Sequence, residues 1–325
     1  TPNSIRWQHI STEIHTQPVW YNGCMTELAA VAASALWSLT SIQFTLAGRR
    51  VGSSAVNYAR LVLALLYLSL THWFVTGQVW PVDASREHWL WMSLSGVVGL
   101  TLGDAALYQG YVLIGPRRTQ LMMTSAPMFT TLAAWVLWRE RLSLLQLLAI
   151  AITIGGIVWV VSEPRQGISR QQFAGDHDPA AYRKGVLLGV VAAVCQAIGL
   201  LLSREGLNDG FLPLSATVIR MAAATAAIVI ISAARGETRR VWQHWQDRRA
   251  LWLIGGGALT GPYIGVWLSM VAVQHGAMGI ASTLLALAPV LLIPLSAWFF
   301  GERITQRSVL GTVLTLVGVG MIFLM

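Results

Sequence analysis

Two long stretches of this sequence carry the same order of apolar runs, glycines and prolines. Gly96 corresponds to Gly257, Pro127 to Pro289 and Glu140 to Glu302, so the offset stays at 161 to 162 residues. A match of this kind over two stretches of more than 60 residues each indicates an internal duplication. The fold must therefore accommodate two copies of one structural unit.

Composition places both copies in a membrane. The chain has 325 residues, of which 55% are hydrophobic and only 11% are charged, whereas about 25% of residues are charged in a typical soluble protein. The apolar runs reach the roughly 20 residues that a helix needs to cross a bilayer. The sequence pI of about 10.2 comes from basic residues in short loops, which is typical of topology signals and not of nucleic-acid binding.

The hydrophobic pattern predicts ten membrane spans, all of them helical because a helix satisfies its own backbone groups in lipid. The predicted spans are 26–47, 53–75, 89–113, 118–138, 143–161, 185–203, 212–233, 250–273, 278–300 and 305–324. The predicted domains are an N-terminal tail, a first repeat, a polar linker and a second repeat, at 1–24, 25–161, 162–184 and 185–325. We expect the tail to be disordered and outside the fold, with Met25 as a candidate start.

Five spans per copy is an odd number, and this decides the symmetry. Two five-helix units joined by a linker that does not cross the membrane must enter it with opposite orientations. The fold-class prediction is therefore an all-α polytopic membrane protein of ten helices in two inverted five-helix repeats. Fifteen basic residues lie in the odd-numbered loops and five in the even-numbered loops and tail, so the positive-inside rule predicts cytoplasmic odd loops and outside termini.

No motif in the sequence points to catalysis. The spans contain no zinc-protease, serine-hydrolase or P-loop signature and no cluster of acidic and histidine side chains. Cys24 and Cys195 fit neither a disulfide framework nor a zinc site. We therefore predict no enzyme activity, no metal and no cofactor.

Short motifs recur in both copies and carry a family resemblance. Ser125-Ala126-Pro127 precedes Arg139-Glu140-Arg141, and Ala288-Pro289 precedes Gly301-Glu302-Arg303; the first span also contains Ala35-Leu36-Trp37-Ser38. With two five-helix repeats over about 25–325, the chain resembles the ten-helix EamA branch of the drug/metabolite transporter superfamily. The resemblance implies a transporter in the plasma membrane, the inner membrane in bacteria. Members of the family commonly have their termini inside, which differs from the orientation that the local charges predict.

Asp104 is the most deeply placed carboxylate of the predicted spans, so it is a candidate for substrate binding and proton coupling. Alternatively it is a structural acid that is hydrogen-bonded at a glycine-rich helix contact. Tyr108 follows it by one helical turn, and Tyr263 and Trp267 have the same spacing in the second copy. The full predicted substrate-binding set is Trp37, Asp104, Tyr108, Ser125, Pro127, Gln196, Tyr263, Trp267 and Pro289. The two prolines either line the site or only kink their helices, and Gly99-x-x-x-Gly103 predicts a close helix contact.

Two arginines fall inside spans at equivalent places, Arg60 and Arg220. Their simplest interpretation is that they snorkel to the membrane surface. The inverted repeat suggests a second interpretation, in which the ion pairs Arg60–Glu302 and Arg220–Glu140 act as alternate gates.

Together these features predict a secondary transporter that exports or exchanges a small organic metabolite or amino-acid-like solute by alternating access, with proton coupling through Asp104 as an option. Its expected partners are the solute and the lipid bilayer, with no nucleic acid, as a monomer or homodimer. The alternatives are an intramembrane enzyme acting on a lipid, and a membrane scaffold or sensor without transport. An enzyme needs at least two positioned polar partners, and scaffolding gives no reason for an inverted duplication.

Overall fold

The computed structural model describes residues 19–138, 143–163, 173–207, 211–236, 247–269 and 284–323. Within these ranges every regular element is a helix. Seven of the described helices are long and apolar enough to cross a bilayer, and Ala288–Phe300 is apolar but shorter. The prediction of an all-helical, polytopic membrane protein is confirmed.

The first repeat contains six helices, because the predicted fourth span is interrupted. The helices are α1 (Val19–Val51), α2 (Ser53–Thr76), α3 (Arg86–Ile114), α4 (Pro116–Met123), α5 (Ala126–Trp138) and α6 (Leu144–Val161). Helix α1 begins at Val19, so the end of the predicted tail is helical and that part of the prediction is wrong. Residues 1–18 lie outside the described part.

The second repeat follows a short helix in the linker. The helices are α7 (Ala174–His177), α8 (Pro179–Gly206), α9 (Pro213–Ala234), α10 (Arg248–Ser269), α11 (Ala288–Phe300) and α12 (Gln306–Phe323). The sequence predicted a polar connector over 162–184, whereas α7 and the first turn of α8 already occupy its second half. Helical segments coincide with all ten predicted spans.

The helix contacts obey the symmetry of the duplication. Helix α8, which opens the second repeat, packs against α3 and α5 of the first repeat. Its counterpart α1 packs against α10 and α11, which are the counterparts of α3 and α5 in the second repeat. Helix α2 packs against its counterpart α9, and α6 against its counterpart α12. At this last contact a Cβ on Gly156 would overlap Thr315, and a Cβ on Gly318 would overlap Thr153. The same threonine-to-glycine contact thus occurs twice, once from each copy.

The odd-numbered loops meet at one end of the molecule. The Arg50 guanidinium at the end of α1 lies 2.9 Å from the Asp247 carboxylate at the start of α10. Gly185, near the start of α8, packs against Ile114 at the end of α3. Helix α1 therefore ends where its counterpart α8 begins, and the two copies run in opposite directions through the bundle.

Among the residues that the structure describes, each copy contains one stretch of π-helix at an equivalent place. In α3 it covers Gly96–Gly103, and in α10 it covers Leu259–Gly265. Glycines of the first stretch lie against α8 and α9, whereas those of the second lie against α1. A π-helix leaves carbonyl groups free of their usual partners and is frequent at functional sites. The matched pair marks where the two repeats meet.

Asp247 provides a pH test at the surface. Its carboxylate accepts the N–H of Ala250 at 3.1 Å and the Nε–H of Arg50 at 2.9 Å, and these bonds, in that order, lower the pKa of Asp247 below its ordinary 3.8. A lowered pKa stabilises the folded state above the ordinary value, and this contribution is lost as the pH falls through the folded-state pKa. We expect Asp247→Asn to be slightly less stable than the parent at pH 7 and the difference to narrow below about pH 4. Thermal unfolding from pH 3 to pH 7 measures this, with the exposed Glu87→Gln as the matched control; a difference that stays constant over this range would contradict it.

Candidate functional site

A buried ion pair joins α2 and α3 near the middle of the bundle. The Arg60 Nη2 atom lies 2.6 Å from Asp104 Oδ2, and the two side chains are only 2% and 11% exposed. Arg60 also donates to the Asn57 Oδ1 atom at 2.9 and 3.0 Å and to the Leu100 carbonyl at 2.7 Å. Its guanidinium is thus bound by a carboxylate, an amide and a backbone oxygen, as a charge inside a membrane requires.

The π-helical stretch explains why α3 offers carbonyl groups to α2. The N–H of Asp104 donates to the carbonyls of Gly99 and Thr101, so it leaves the Leu100 carbonyl to Arg60. The Thr101 carbonyl accepts a further bond from Asn57 Nδ2 at 3.2 Å. A regular α-helix would direct the Asp104 N–H to Leu100 instead. The local backbone therefore positions Arg60 beside Asp104.

Aromatic rings cover this pair on the side of α1. The Arg60 guanidinium lies 5.0 Å from the centre of the Tyr108 ring, within the range of a cation–π interaction. Tyr108 packs edge-on against Phe44 at 5.1 Å and against Tyr111 at 5.7 Å. The Tyr111 hydroxyl donates to Gln120 Oε1 at 2.7 Å. Tyr108 is therefore part of the packing around the ion pair, as its one-turn spacing from Asp104 predicts.

Arg220 lies on the other side of α3, where α9 touches it. Its backbone carbonyl occupies the space that a Cβ on Gly96 would need, and its guanidinium reaches towards Gly99, with Nη2 3.8 Å from a Cβ built there. The Gln196 Oε1 atom of α8 lies 3.4 Å from that same point. Asp104 interacts electrostatically with both Arg60 and Arg220. One acid thus interacts with two arginines from opposite repeats, in direct contact with Arg60 and electrostatically with Arg220.

A second aromatic group lies on α10. Tyr263 packs against Tyr67 at 5.8 Å, and its hydroxyl shares a 2.8 Å hydrogen bond with Thr71. Trp267 lies 6.5 Å from Tyr263 but is 54% exposed, so it belongs to the outer edge of the group. Trp37 of α1 packs directly on Gly265, with its Nε1 atom 2.7 Å from a Cβ built there.

The Ala-Pro motifs mark helix breaks. Helix α4 ends at Met123 and α5 begins at Ala126, so Pro127 lies in the first turn after a break at Thr124 and Ser125. The Ser125 hydroxyl donates to the Met122 carbonyl at 2.6 Å. Pro289 likewise lies in the first turn of α11, and Ser38 of α1 donates to the preceding Ala288 carbonyl at 3.0 Å. The prolines therefore fix where α5 and α11 begin.

Charged and aromatic side chains pack together where the odd loops meet; we call them the end cluster. Its members are Arg49, Arg117, Arg118, Phe173, Asp176, Phe300 and Glu302. Arg117 Nε lies 3.1 Å from Glu302 Oε2, and Arg118 Nη1 lies 3.8 Å from Asp176 Oδ1. The Arg49 guanidinium lies 5.4 Å from the Phe173 ring centre and 5.9 Å from that of Phe300. Because Arg117, Arg118 and both phenylalanines are buried, this end of the bundle is tightly packed.

The end cluster contains one member of a predicted gate, Glu302. Arg60 and Glu302 do not pair with each other: Arg60 binds Asp104, and Glu302 binds Arg117. Arg60 is held by the π-helical carbonyl one turn before Asp104, whereas Glu302 follows Gly301 at the end of α11 and faces the α3–α4 junction. Arg60 and Glu302 are therefore not paired in this conformation, and their pairing as an alternate gate stays a prediction. Glu140 lies outside the described residues, so the Arg220–Glu140 pair stays a prediction.

Sequence reasoning missed Phe173 and Asp176 because they lie in the linker. Phe173 is an isolated apolar residue in a polar stretch, and Asp176 begins an Asp-His-Asp-Pro run. The Phe173 ring packs edge-on against Phe300 at 5.4 Å. The single phenylalanine in this polar stretch was the available signal that the segment packs against the bundle, because a fully solvated linker would not bury an aromatic ring.

The end cluster predicts an exchange phenotype. Arg117 is 6% exposed, and its Nε and Nη1 atoms have no hydrogen-bond partner among the described residues, so it depends on the charge of Glu302. Glu302→Gln leaves this cation buried without a counter-charge. We expect amide hydrogen exchange over 113–119 and 298–304 to become about tenfold faster. Exchange in lipid nanodiscs measures this, with Glu87→Gln at the opposite end as control; equal rates in parent and variant would contradict it.

An inverted pair of five-span repeats with a polar centre defines a class of membrane protein, the transporters built from inverted repeats. A family model described as the EamA-like transporter family matches residues 25–162 and 183–324. The chain belongs to this family and is a multi-pass membrane protein. The family describes membrane transporters of small solutes, as the sequence predicts.

A solved structure supports the fold. Its description is "Crystal structure of protein". The similarity covers 92% of this chain and 96% of the solved chain, with a TM-score of 0.57 and a sequence identity of 17%. At that identity the likeness concerns the fold alone. No significant match to a curated protein sequence is found.

Proposed function

We propose that this chain is a secondary transporter that exports or exchanges a small organic metabolite or amino-acid-like solute across the plasma membrane by alternating access. Family membership supports transport of a small solute. The observation that carries the proposal is the arrangement at the centre, where Asp104 contacts Arg60 of one repeat and Arg220 of the other repeat reaches towards Gly99 of the same helix as Asp104. Inverted-repeat transporters bind their substrate at such a place.

The end cluster supports the alternating-access part of the proposal. A bundle whose two copies run in opposite directions can expose its centre at either end by exchanging the conformations of the copies. In this conformation, the end where the odd loops meet is packed by buried arginines and phenylalanines. Access to the centre from that end requires that the end cluster separate.

Proton coupling is proposed to act through Asp104. Protonation of its carboxylate would remove the negative charge that Arg60 contacts at 2.6 Å, so proton binding and the position of Arg60 are linked. In liposomes, a pH gradient is expected to drive uptake by the parent but not by Asp104→Asn, assayed at a temperature where the variant is folded. Equal gradient-driven uptake by both proteins would contradict proton coupling at Asp104.

The orientation is proposed from the basic loops, with the odd loops cytoplasmic. Arg50 and Arg86 lie at opposite ends of the bundle, and both are exposed. In a background without native cysteines, we expect Arg50→Cys to resist a membrane-impermeant maleimide added outside cells, and Arg86→Cys to react. The reverse pattern would place the termini inside, as the family resemblance implies.

The experiment that tests transport itself is solute exchange in liposomes that contain the purified protein. Preloaded unlabelled solute should drive accumulation of the same labelled solute, and empty liposomes should show none. Chemical conversion of the solute without vectorial movement would favour an enzyme. If amino acids, organic acids, nucleosides, sugars and cationic drugs are neither moved nor converted, the proposal fails in favour of a scaffold or sensor.

A further inference from the structure

The two arginines at the centre have equivalent positions but unequal surroundings. Arg60 is the eighth residue of α2, and Arg220 is the eighth residue of α9. Arg60 is bound by Asn57, Leu100 and Asp104. The internal alignment gives the second repeat Thr217 in place of Asn57, Gly265 in place of Asp104 and Ser269 in place of Tyr108. The second copy therefore keeps the cation and lacks its acid, its amide and its aromatic ring.

The structure agrees with this loss. Arg220 has no side-chain hydrogen bond with the residues that the structure describes, and its Nε atom is buried without a partner. Nevertheless the side chain is only partly buried, so the end of the guanidinium reaches accessible space. Buried cations in membrane proteins are normally paired. A guanidinium that is desolvated in part and makes no direct ion pair or hydrogen bond with the described residues has free donors for an anion.

The net charge of the side chains at the centre also favours an anionic ligand. Arg60 and Arg220 carry two positive charges, and Asp104 carries one negative charge that Arg60 contacts directly. The Arg60–Asp104 pair is close to neutral, so Arg220 supplies the net positive charge of the cluster. In a medium of low dielectric this charge attracts an anion far more strongly than it would in water.

We propose that Arg220 binds the carboxylate of the transported solute, so that the substrates are small organic carboxylates. The planar guanidinium can donate two parallel hydrogen bonds to the two carboxylate oxygens. The amide of Gln196 lies beside it over Gly99 and can donate to the same group. The carboxylate of the solute then has the role towards Arg220 that Asp104 has towards Arg60. This inference rests on the proposed transport function and names its substrate class.

Ligand-dependent stability of the purified protein tests the site. The probes are aliphatic and aromatic monocarboxylates of four to ten carbons, the primary amides of the same acids, and phosphate monoesters. We expect carboxylates to raise the melting temperature in a saturable manner and the amides to have no effect. Arg220→Gln should need about ten- to hundredfold more carboxylate for the same shift, because a charge-assisted hydrogen bond is lost. Arg220→Lys keeps the charge without the paired hydrogen-bond geometry. The carboxylate concentration that it needs for the same shift should therefore lie between those of the parent and Arg220→Gln.

Two controls separate binding from structure. Arg235→Gln removes the same charge from the exposed end of the same helix and should bind carboxylates as the parent does. Without ligand, Arg220→Gln should be destabilised much less than Arg60→Gln, because Arg60 loses an ion pair and direct hydrogen bonds, whereas Arg220 loses only its electrostatic interaction with Asp104. Equal destabilisation of both variants would make Arg220 a structural residue and overturn the proposal.

The remaining outcomes of these measurements also test the carboxylate proposal. Equal shifts with carboxylates and amides, an undiminished shift in Arg220→Gln, or no carboxylate shift in the parent would each overturn the proposal. Phosphate monoesters as the only stabilising probes would overturn the carboxylate class. Binding is measured in detergent, independently of transport. Selective carboxylate binding without liposome uptake would therefore contradict the transport function but still support the carboxylate site at Arg220. Liposome uptake without selectivity for carboxylates would contradict the carboxylate site at Arg220 but still support the transport function.

Discussion

Asp104→Asn is expected to lower the melting temperature of the purified protein by on the order of 10 °C. The substitution leaves Arg60 buried in the bundle beside a neutral amide, and removing one partner of a buried ion pair costs about 3–5 kcal/mol. The Asn57 amide and the Leu100 carbonyl still bind the guanidinium, which limits the loss. Thermal unfolding in one detergent, followed by the fraction of monodisperse protein, measures the effect.

The double variant Asp104→Asn with Arg60→Gln is the informative control. Both charges are then absent, so it should be more stable than Asp104→Asn alone. Glu87→Gln removes an exposed acid elsewhere on α3 and should change the melting temperature by less than about 1 °C. A similarly small change in Asp104→Asn would mean that the ion pair does not stabilise the fold.

Gly96→Ala is expected to have the largest effect of any single methyl group added at a described glycine of α3. The added Cβ would overlap the backbone carbonyl of Arg220, and a backbone group cannot move aside as a flexible side chain can. Helices α3 and α9 would have to separate, and with them the contact that carries Arg220. We expect little or no folded protein in membranes, measured by yield and by size-exclusion profile.

Gly155→Ala is the matched control for Gly96→Ala. Gly155 lies in α6, and a Cβ added there meets nothing within 4 Å. The same change should be neutral or stabilising by up to about 1 kcal/mol, because alanine has the higher helix propensity. If both variants express and unfold alike, the α3–α9 contact is looser than the structure describes.

The sequence was enough to predict the repeats, their opposite directions and the deep placement of Asp104, because each depends on patterns along the chain. Counting spans predicts the inversion, and a single acid in an apolar run is conspicuous. The partner of Asp104 could not be predicted this way. Arg60 lies 44 residues earlier, and the π-helical stretch that turns the Leu100 carbonyl towards it has no clear sequence signature.

The partner that Glu302 has in this conformation could not be predicted for a related physical reason. Charge and depth suggested that Arg60 and Glu302 could meet, but depth along the membrane does not specify which helices are neighbours. The local turns decide this: Gly301 ends α11 in a left-handed conformation, and the following Glu302 faces Arg117. Similarly, the end cluster depends on Phe173 from a stretch that looked like a plain linker.

Phe173 and Asp176 come from a segment that the duplication did not copy, because a chain with two repeats has only one connection between them. The end of the bundle where they pack has therefore no equivalent at the other end. A swap of conformations between the repeats cannot produce two end states that are equivalent by symmetry and equal in free energy. Under the proposed alternating access, the two end states then differ in population, and the conformational step in one direction has a different rate constant from its reverse even when no gradient is applied.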